Sequence, residues 1–248
     1  MLTVSIIIIG DEILSSKFKD ENTPFLLKQC AELGVSVRTV RIISDELSDI
    51  TEAVSAEAAR SDYVFTTGGV GTTHDDRTLE GIGMAFGESL VRHSQLEDII
   101  RSKMGDRLTT AALRMADVPE STILWESADG FFPQIVVHNV IVFPGVPFIL
   151  KKKFLSIKER FRQSAFVVEK IHLNVRESVI ADQLSSIQDK HPNVQIGSYP
   201  RHNEGPVKLI FTVQAKDQSA VSACTAQLRS VFSDYLLSES EITSNNDS

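Results

Sequence analysis

Tyr63-Val64-Phe65-Thr66-Thr67-Gly68-Gly69-Val70-Gly71-Thr72-Thr73-His74-Asp75-Asp76-Arg77-Thr78 runs an apolar stretch into glycines and threonines and ends on an acidic pair. Asp62 to Thr66 reads as a short strand. Leu79, Ile82 and Phe86 then follow at helical spacing. A strand that enters a helix through glycines is the unit from which α/β sheets are built. Upstream, Val4 to Ile9 is a β-branched run suited to a strand buried on both faces. Gly10-Asp11-Glu12 ends it. Thr23 is the expected N-cap and Pro24 the first residue of a helix carrying Phe25, Leu26, Cys30 and Leu33 and stopping at Gly34. Val35 to Ile43 reads as the next strand, and Ser44 or Asp45 as the cap of a helix with Ile50, Val54 and Ala58 on one face.

Downstream, Leu96, Ile99 and Ile100 mark a further helix. Ile123 to Trp125 and Ile135 to Phe143 read as strands, and Pro144-Gly145-Val146-Pro147 turns into a helix with Phe148, Leu150, Phe154, Leu155, Ile157 and Phe161. The alternation predicts an α/β fold with a mainly parallel sheet and mostly right-handed crossovers. The pattern changes near Gln163-Ser164. Phe166 to Val175 (strand), Val179 to Ile187 (helix), Val194 to Tyr199 and Val207 to Ala215 (strands) and Val221 to Tyr235 (helix) give the order βαββα. The expected organisation is a first domain over 1–163, a small α+β domain over 164–238 and a polar tail over 239–248.

The 248 residues carry 25 Lys and Arg against 33 Asp and Glu, a formal charge of −8 with a pI near 5.3. That balance excludes a globally basic nucleic-acid-binding surface. Cys30 and Cys224 lie far apart, so neither a disulfide framework nor a cysteine zinc site is expected. A reducing, cytoplasmic compartment is the simplest reading. Leu2 to Ile9 is too short to span a bilayer and lacks the features of a signal peptide, so no membrane association is expected.

The candidate chemistry centres on the loop. Glycines let backbone N–H groups approach an anion, hydroxyls add donors, and a helix N-terminus adds positive charge. Thr67, Gly68, Gly69, Gly71, Thr72 and Thr73 are therefore candidate phosphate-binding residues; the plainer alternative is a tight turn. The loop matches neither the Walker A nor the dinucleotide fingerprint. Asp75 and Asp76 read either as helix caps or, beside phosphates, as ligands of a hard divalent ion such as Mg²⁺. His74 is a solvated loop residue or a ligand. Gly10, Asp11, Glu12 and Asp45 sit where strands end, the edge at which ligands bind in open α/β sheets; Asn22-Thr23 would join them as polar contacts. Asp45 reads equally as a plain cap. Arg114, and Pro144, Gly145 and Pro147 of the turn, suit either a ligand edge or structure alone.

Taken together, Gly10–Leu14, Asn22-Thr23, Ser44–Glu46, Thr66–Thr78, Arg114–Pro119 and Phe143–Pro147 resemble the molybdopterin-binding (MoaB/Mog-type) superfamily. The pair Asp75-Asp76 resembles its CinA branch. Val136 to Pro147, with Ile196 to Pro200 and the strand that follows, is similar to the N-terminal molybdopterin-binding-like region of eukaryotic FAD synthases. The loop departs from the family's Gly-Pro-Thr at Gly71-Thr72-Thr73, Ser16 stands near a usual glycine, and Glu126 lies where CinA proteins carry asparagine. The resemblance implies a three-layer α/β first domain and a metal-dependent hydrolase of a nucleotide pyrophosphate link, FAD to FMN and AMP or ADP-ribose. It implies Mg²⁺, Mn²⁺ or Co²⁺ on Asp75 and Asp76, with Asp76 the more important because Mog-type proteins share it. A non-hydrolytic module for molybdopterin or a nucleotide, or a regulatory remnant of FAD synthase, is the alternative. Relatives also lead to the expectation of a homodimer or homotrimer. Nothing here resembles the PAPS-reductase-like domain that performs adenylylation, so FAD synthesis by this chain alone is not expected.

Overall fold

A computed structural model describes residues 2–73, 75–126, 132–164, 166–201, 205–238 and 242. His74 and nearly all of the polar tail lie outside them. The chain divides into two compact units, 1–163 and 164–248.

In the first unit the elements run β1 (Thr3–Ile9), α1 (Asp11–Leu14), α2 (Asn22–Glu32), β2 (Ser36–Ile43), α3 (Leu47–Ala58), β3 (Tyr63–Thr67), α4 (Thr78–Phe86), β4 (Leu90–Arg92), α5 (Ser94–Met104), α6 (Thr110–Leu113), β5 (Asp117–Pro119), β6 (Ile123–Trp125), β7 (Gln134–Val137), β8 (Val140–Phe143) and α7 (Pro147–Ile157). Six strands form one sheet in the order β2-β1-β3-β8-β7-β6. The pairs β1/β2, β1/β3 and β3/β8 are parallel; β7 runs antiparallel to both neighbours. The fold is thus the mainly parallel α/β sheet that the sequence predicts.

The β1 run is apolar without interruption because both sheet faces are covered. Ile7 and Ile9 join Ile50, Val54, Ile82 and Leu96 in one core. Val4, Ile6 and Ile8 join Leu26, Cys30, Phe65, Phe143 and Phe154 in the other. Successive side chains of a strand alternate faces, so one strand supplies both cores, and helices flank the sheet on each side. The buried Cys30 thiol is pushed up to about 12 by desolvation, as expected of an inert packing cysteine.

The expected strand over 135–143 is a hairpin instead. His138 takes a left-handed backbone (φ 50), and Asn139 anchors the turn by donating to the carbonyls of Ala58 and Ser61. The polar pair His138-Asn139 interrupts the apolar run, and the chain reverses there. Two caps also differ. Helix α2 begins at Asn22, not after Thr23, and Asp20 Oδ1 accepts from the amides of Asn22 and Thr23. Helix α3 begins at Leu47, and the turn before it is closed by Ser44 Oγ, which accepts from the Glu46 amide and donates to Asp49.

In the second unit β9 (Val167–Leu173), α8 (Glu177–Lys190), β10 (Gln195–Pro200), β11 (Leu209–Ala215) and α9 (Gln218–Val231) form a three-stranded antiparallel sheet, order β10-β11-β9, with both helices packed into its core. Strand β11 buries Leu209, Phe211, Val213 and Ala215 and leaves the residues between them half-buried. One covered face produces that alternation. Among the described residues no helix is long and apolar enough to cross a membrane.

Candidate functional site

The order β2-β1-β3 has a topological switch point: from β1 the chain goes to one side and then returns to the other. Crevices form at the carboxyl ends of strands at such a point. Here β1 ends at Ile9-Gly10 and β3 at Thr67-Gly68, with the Pro144–Pro147 turn beyond β8. They enclose a crevice of about 600 Å³ whose walls include Glu12, Asn22, Thr67, Asp75, Gly145 and Pro147. Gly68 follows Thr67 at the carboxyl end of β3. It adopts φ +105, and its Cα lies against Gly145; its amide donates to the Phe143 carbonyl.

One side of the crevice is braced by a determined hydrogen-bond set. Asn22, 6% exposed, donates one amide hydrogen to the Gly145 carbonyl (2.7 Å) and the other to Thr67 Oγ1 (3.1 Å). Thr67 Oγ1 donates in turn to the Pro144 carbonyl. A carbonyl only accepts, so Asn22 must present its NH₂ there. This couples α2, β3 and the turn after β8.

The other side is acidic. Asp45 does not cap α3; its Oδ2 accepts from the Asp11 amide at 3.0 Å. Burial first, and then the charges of Glu12, Asp11 and Asp75, raise its pKa above the usual carboxylate range, against the opposing pull of the Asp11 N–H. Asp11, Glu12, Asp45 and Asp75 thus share one electrostatic environment, assembled from the ends of β1 and β2 and the loop after β3.

Asp76 plays a different part from Asp75. Its Oδ1 accepts from the Gly71 amide (2.6 Å), and its Oδ2 from the Thr73 amide (2.8 Å) and hydroxyl (2.6 Å). It does not cap α4, which starts at Thr78. The glycine loop is a self-bonded turn: Thr78 Oγ1 donates to the Gly68 carbonyl and the Thr78 amide to that of Gly69. The amides of Gly68, Gly71 and Thr73 therefore already have protein acceptors. Arg114 reaches the same loop, Nη2 donating to the Thr72 carbonyl. Gly69, Gly71, Thr72, Thr73, Asp76, Arg77 and Arg114 line a second cavity of about 220 Å³. Arg77 there is shared with Glu46 and Glu80. Gly69 has φ +60, and a Cβ on it would collide with Thr78 Oγ1, so a valine there tests the turn rather than an anion.

Among the described residues no three of His, Cys, Asp and Glu form a metal cage. Asp76, turned to its own loop, does not fit the role of a direct metal ligand. The Asp45 and Asp75 side of the crevice fits better, because Mg²⁺-like ions take one or two protein carboxylates and fill the rest of their shell with water and substrate phosphates.

Sequence reasoning missed Lys153. It is 8% exposed, and its Nζ donates to the carbonyls of Phe132 (3.1 Å) and Pro133 (2.8 Å). Its position was readable: Leu150, Lys153, Phe154 and Ile157 form one buried stripe of α7. Burial, then the like charge of Lys103, lowers its pKa to about 8. The unfolded chain holds this proton up to about 10.5, so between those values the unfolded state binds more protons and stability rises with pH. Denaturant titrations at pH 8, 9 and 10 should show the wild type gaining about 2 kcal/mol across that range relative to Lys153→Met, with little gain below pH 8. Parallel pH slopes in the two proteins would refute this.

A mainly parallel α/β domain with an acid-lined crevice at its switch point, followed by a small α+β unit, defines the class of protein, and the comparisons with known proteins agree. Residues 5–163 match the family described as "Probable molybdopterin binding domain", and residues 165–241 the family "FAD synthase, middle domain". The chain belongs to the first of these families over most of its length and carries the FAD synthase middle domain behind it. A protein of Archaeoglobus fulgidus is 33% identical over 92% of this chain and 97% of its own length. A "Probable FAD synthase" of Caenorhabditis elegans is 28% identical over 95% of this chain but 51% of its own length, so the chain spans about half of that relative. Among solved structures, the protein CinA of Thermoplasma acidophilum superposes with a TM-score of 0.59 at 30% identity, covering 64% of this chain and 97% of that one.

Proposed function

We propose that the protein is a divalent-metal-dependent hydrolase of a nucleotide diphosphate, splitting FAD into FMN and AMP or acting on the corresponding link of ADP-ribose. The observation that carries this reading is the presence of Glu12 and Asp75 on the wall of the switch-point crevice together with Asp45, whose pKa is raised by burial and then by the charges of Glu12, Asp11 and Asp75. Asp75 and Asp45 would hold the metal, which would supply charge neutralisation at the phosphates. Arg114 and the Thr72 hydroxyl are the groups for an anionic oxygen on the loop side; the Thr73 hydroxyl is already held by Asp76. In the reaction a water oxygen bonds to one phosphorus, the bridging P–O bond breaks, and the other phosphate leaves with its electron pair. The water's proton passes to the surrounding solvent, and Asp45 Oδ1, the oxygen left by the Asp11 amide, would be the one that faces the metal.

The test is AMP release from FAD, ADP-ribose and NAD with Mg²⁺, Mn²⁺ or Co²⁺. Metal-dependent turnover of at least one substrate is expected. Binding of nucleotide or molybdopterin without turnover would instead support a non-hydrolytic module. Asp45→Asn supplies a second test. Removing a carboxylate with a raised pKa relieves repulsion, and Asn still accepts from the Asp11 amide. The variant should melt at a temperature equal to or above that of the wild type at pH 7 and lose at least ten-fold in AMP release. A lower melting temperature with unchanged activity would make Asp45 structural.

A further inference from the structure

Behind the glycine loop lies a third cavity of about 300 Å³, walled mainly by apolar side chains that include Val70, Leu79, Met115, Phe132, Ile135 and Ile149. That volume is at the lower end of ligand sites, roughly 300–1,000 Å³. Val70, Leu79 and Met115 also line the 220 Å³ loop cavity with Arg114, so the two spaces share walls. Lys153 reaches the apolar cavity from α7 and Lys103 from α5. Two of the three hydrogens on Lys153 Nζ go to the carbonyls of Phe132 and Pro133. The third remains for an acceptor, and the carbonyl tethers hold the ammonium in place. The ammonium also lies 5.5 Å from the centre of the Phe132 ring.

An apolar slot with one fixed donor, next to a polar space with an arginine, has the pattern of a site for a flat ring attached to a phosphate. We propose that this cavity binds the heteroaromatic ring of the nucleotide, with Lys153 donating to an acceptor on the ring edge and Met115 and Ile149 packing beside it. The inference rests on the nucleotide reading of the loop and extends it to a ring subsite. Adenine carries ring nitrogens and isoalloxazine carries carbonyls and a ring nitrogen, so both meet the same requirement.

The experiment is isothermal titration of the purified full chain with AMP, FMN and ribose 5-phosphate, for wild type, Ile149→Trp, Lys153→Met and Lys153→Arg, with thermal melts as the folding control. At least one of AMP and FMN should bind the wild type ten-fold or more tightly than ribose 5-phosphate; which one identifies the ring. Ile149→Trp should remove that advantage and leave ribose 5-phosphate unchanged. Lys153→Met should weaken the ring ligand about ten-fold, and Lys153→Arg should restore most of it. Should Ile149→Trp fail to fold, Met115→Phe is the second plug, with the same expected result. Equal affinity of wild type for ringed and ringless ligands, or ring affinity unaltered by a folded plug, overturns the proposal. Failure of FAD and ADP-ribose hydrolysis alone does not, because the ring subsite is read out by binding.

Discussion

Gly68→Ala should lower the melting temperature of the first unit by about 10 °C and abolish nucleotide binding in the fraction that remains folded. Two costs combine. At φ +105 an alanine is strained, which costs of order 1–3 kcal/mol. Its Cβ would also fall on the carbonyl oxygen of Ile9, a backbone atom of the central strand that cannot rotate away; overpacking of that kind costs about 1–3 kcal/mol. About 3 kcal/mol in total converts to roughly 10 °C for a protein of this size. Gly68 is where β3, the end of β1 and the Pro144–Pro147 turn come closest, so relaxing the clash would spread β1 from β3 and open the switch point. The check is a calorimetric melt beside nucleotide titration. A variant that melts within 2 °C of wild type and binds normally would show that the approach of Gly68 to Ile9 is not required.

Most of the fold was legible because its signal is local. An uninterrupted run such as Val4–Ile9 is compatible with few environments other than a strand covered on both faces, and the stripe Ile50, Val54 on α3 indicates one buried helical face. The hairpin at His138-Asn139 was harder. Val136-Val137 and Val140-Ile141 are all buried, so the hydrophobic pattern looks the same whether the chain continues or reverses. The reversal is decided by Asn139 reaching the carbonyls of Ala58 and Ser61, contacts about 80 residues away in sequence. The short β4/β5 pair escaped for a related reason: Leu90–Arg92 meets Asp117–Pro119 through a bidentate approach of Arg92 to Asp117 that spacing cannot reveal.

The site was legible as a list and less so as an arrangement. Gly10, Asp11, Glu12, Asn22, Asp45, Thr67 and Asp75 were recognisable as strand-end residues; Glu12, Asn22, Thr67 and Asp75 line the crevice, while Asp11 and Asp45 are joined to each other through the Asp11 amide. The partner of Asp45 is the amide of Asp11, 34 residues away, whereas a cap is a local alternative that sequence always offers. For Asp76 the local signal was present. Thr73 and Asp76 stand three apart, the spacing at which a side-chain oxygen closes a turn on backbone N–H groups. Paired with Asp75 in sequence, it read as a second metal ligand; its hydrogen bonds instead give it the closure of the loop.

That division of labour between adjacent aspartates gives the most discriminating result. Asp75→Asn should reduce metal-dependent AMP release by roughly 10²-fold or more, since a hydrolytic metal supplies several kcal/mol and each ~1.4 kcal/mol is tenfold in rate. Its thermal melt should stay within a few degrees of wild type, because the residue is exposed and surface substitutions shift stability little. Asp76→Asn should behave in the opposite sense. Asn offers one oxygen where Asp76 offers two, so its NH₂ would face the amide of Gly71 or the donors of Thr73. Losing a charged acceptor for three donors should cost about 1–3 kcal/mol and lower the melting temperature by several degrees. Activity should fall as well, and added metal should not restore it, because the defect lies in the loop. Raising Mn²⁺ a hundred-fold should recover part of the Asp75→Asn activity, since a weakened metal site is refilled by mass action. Identical melts for the two variants with identical recovery by metal would return both aspartates to a shared metal site and remove the loop-closing role assigned to Asp76.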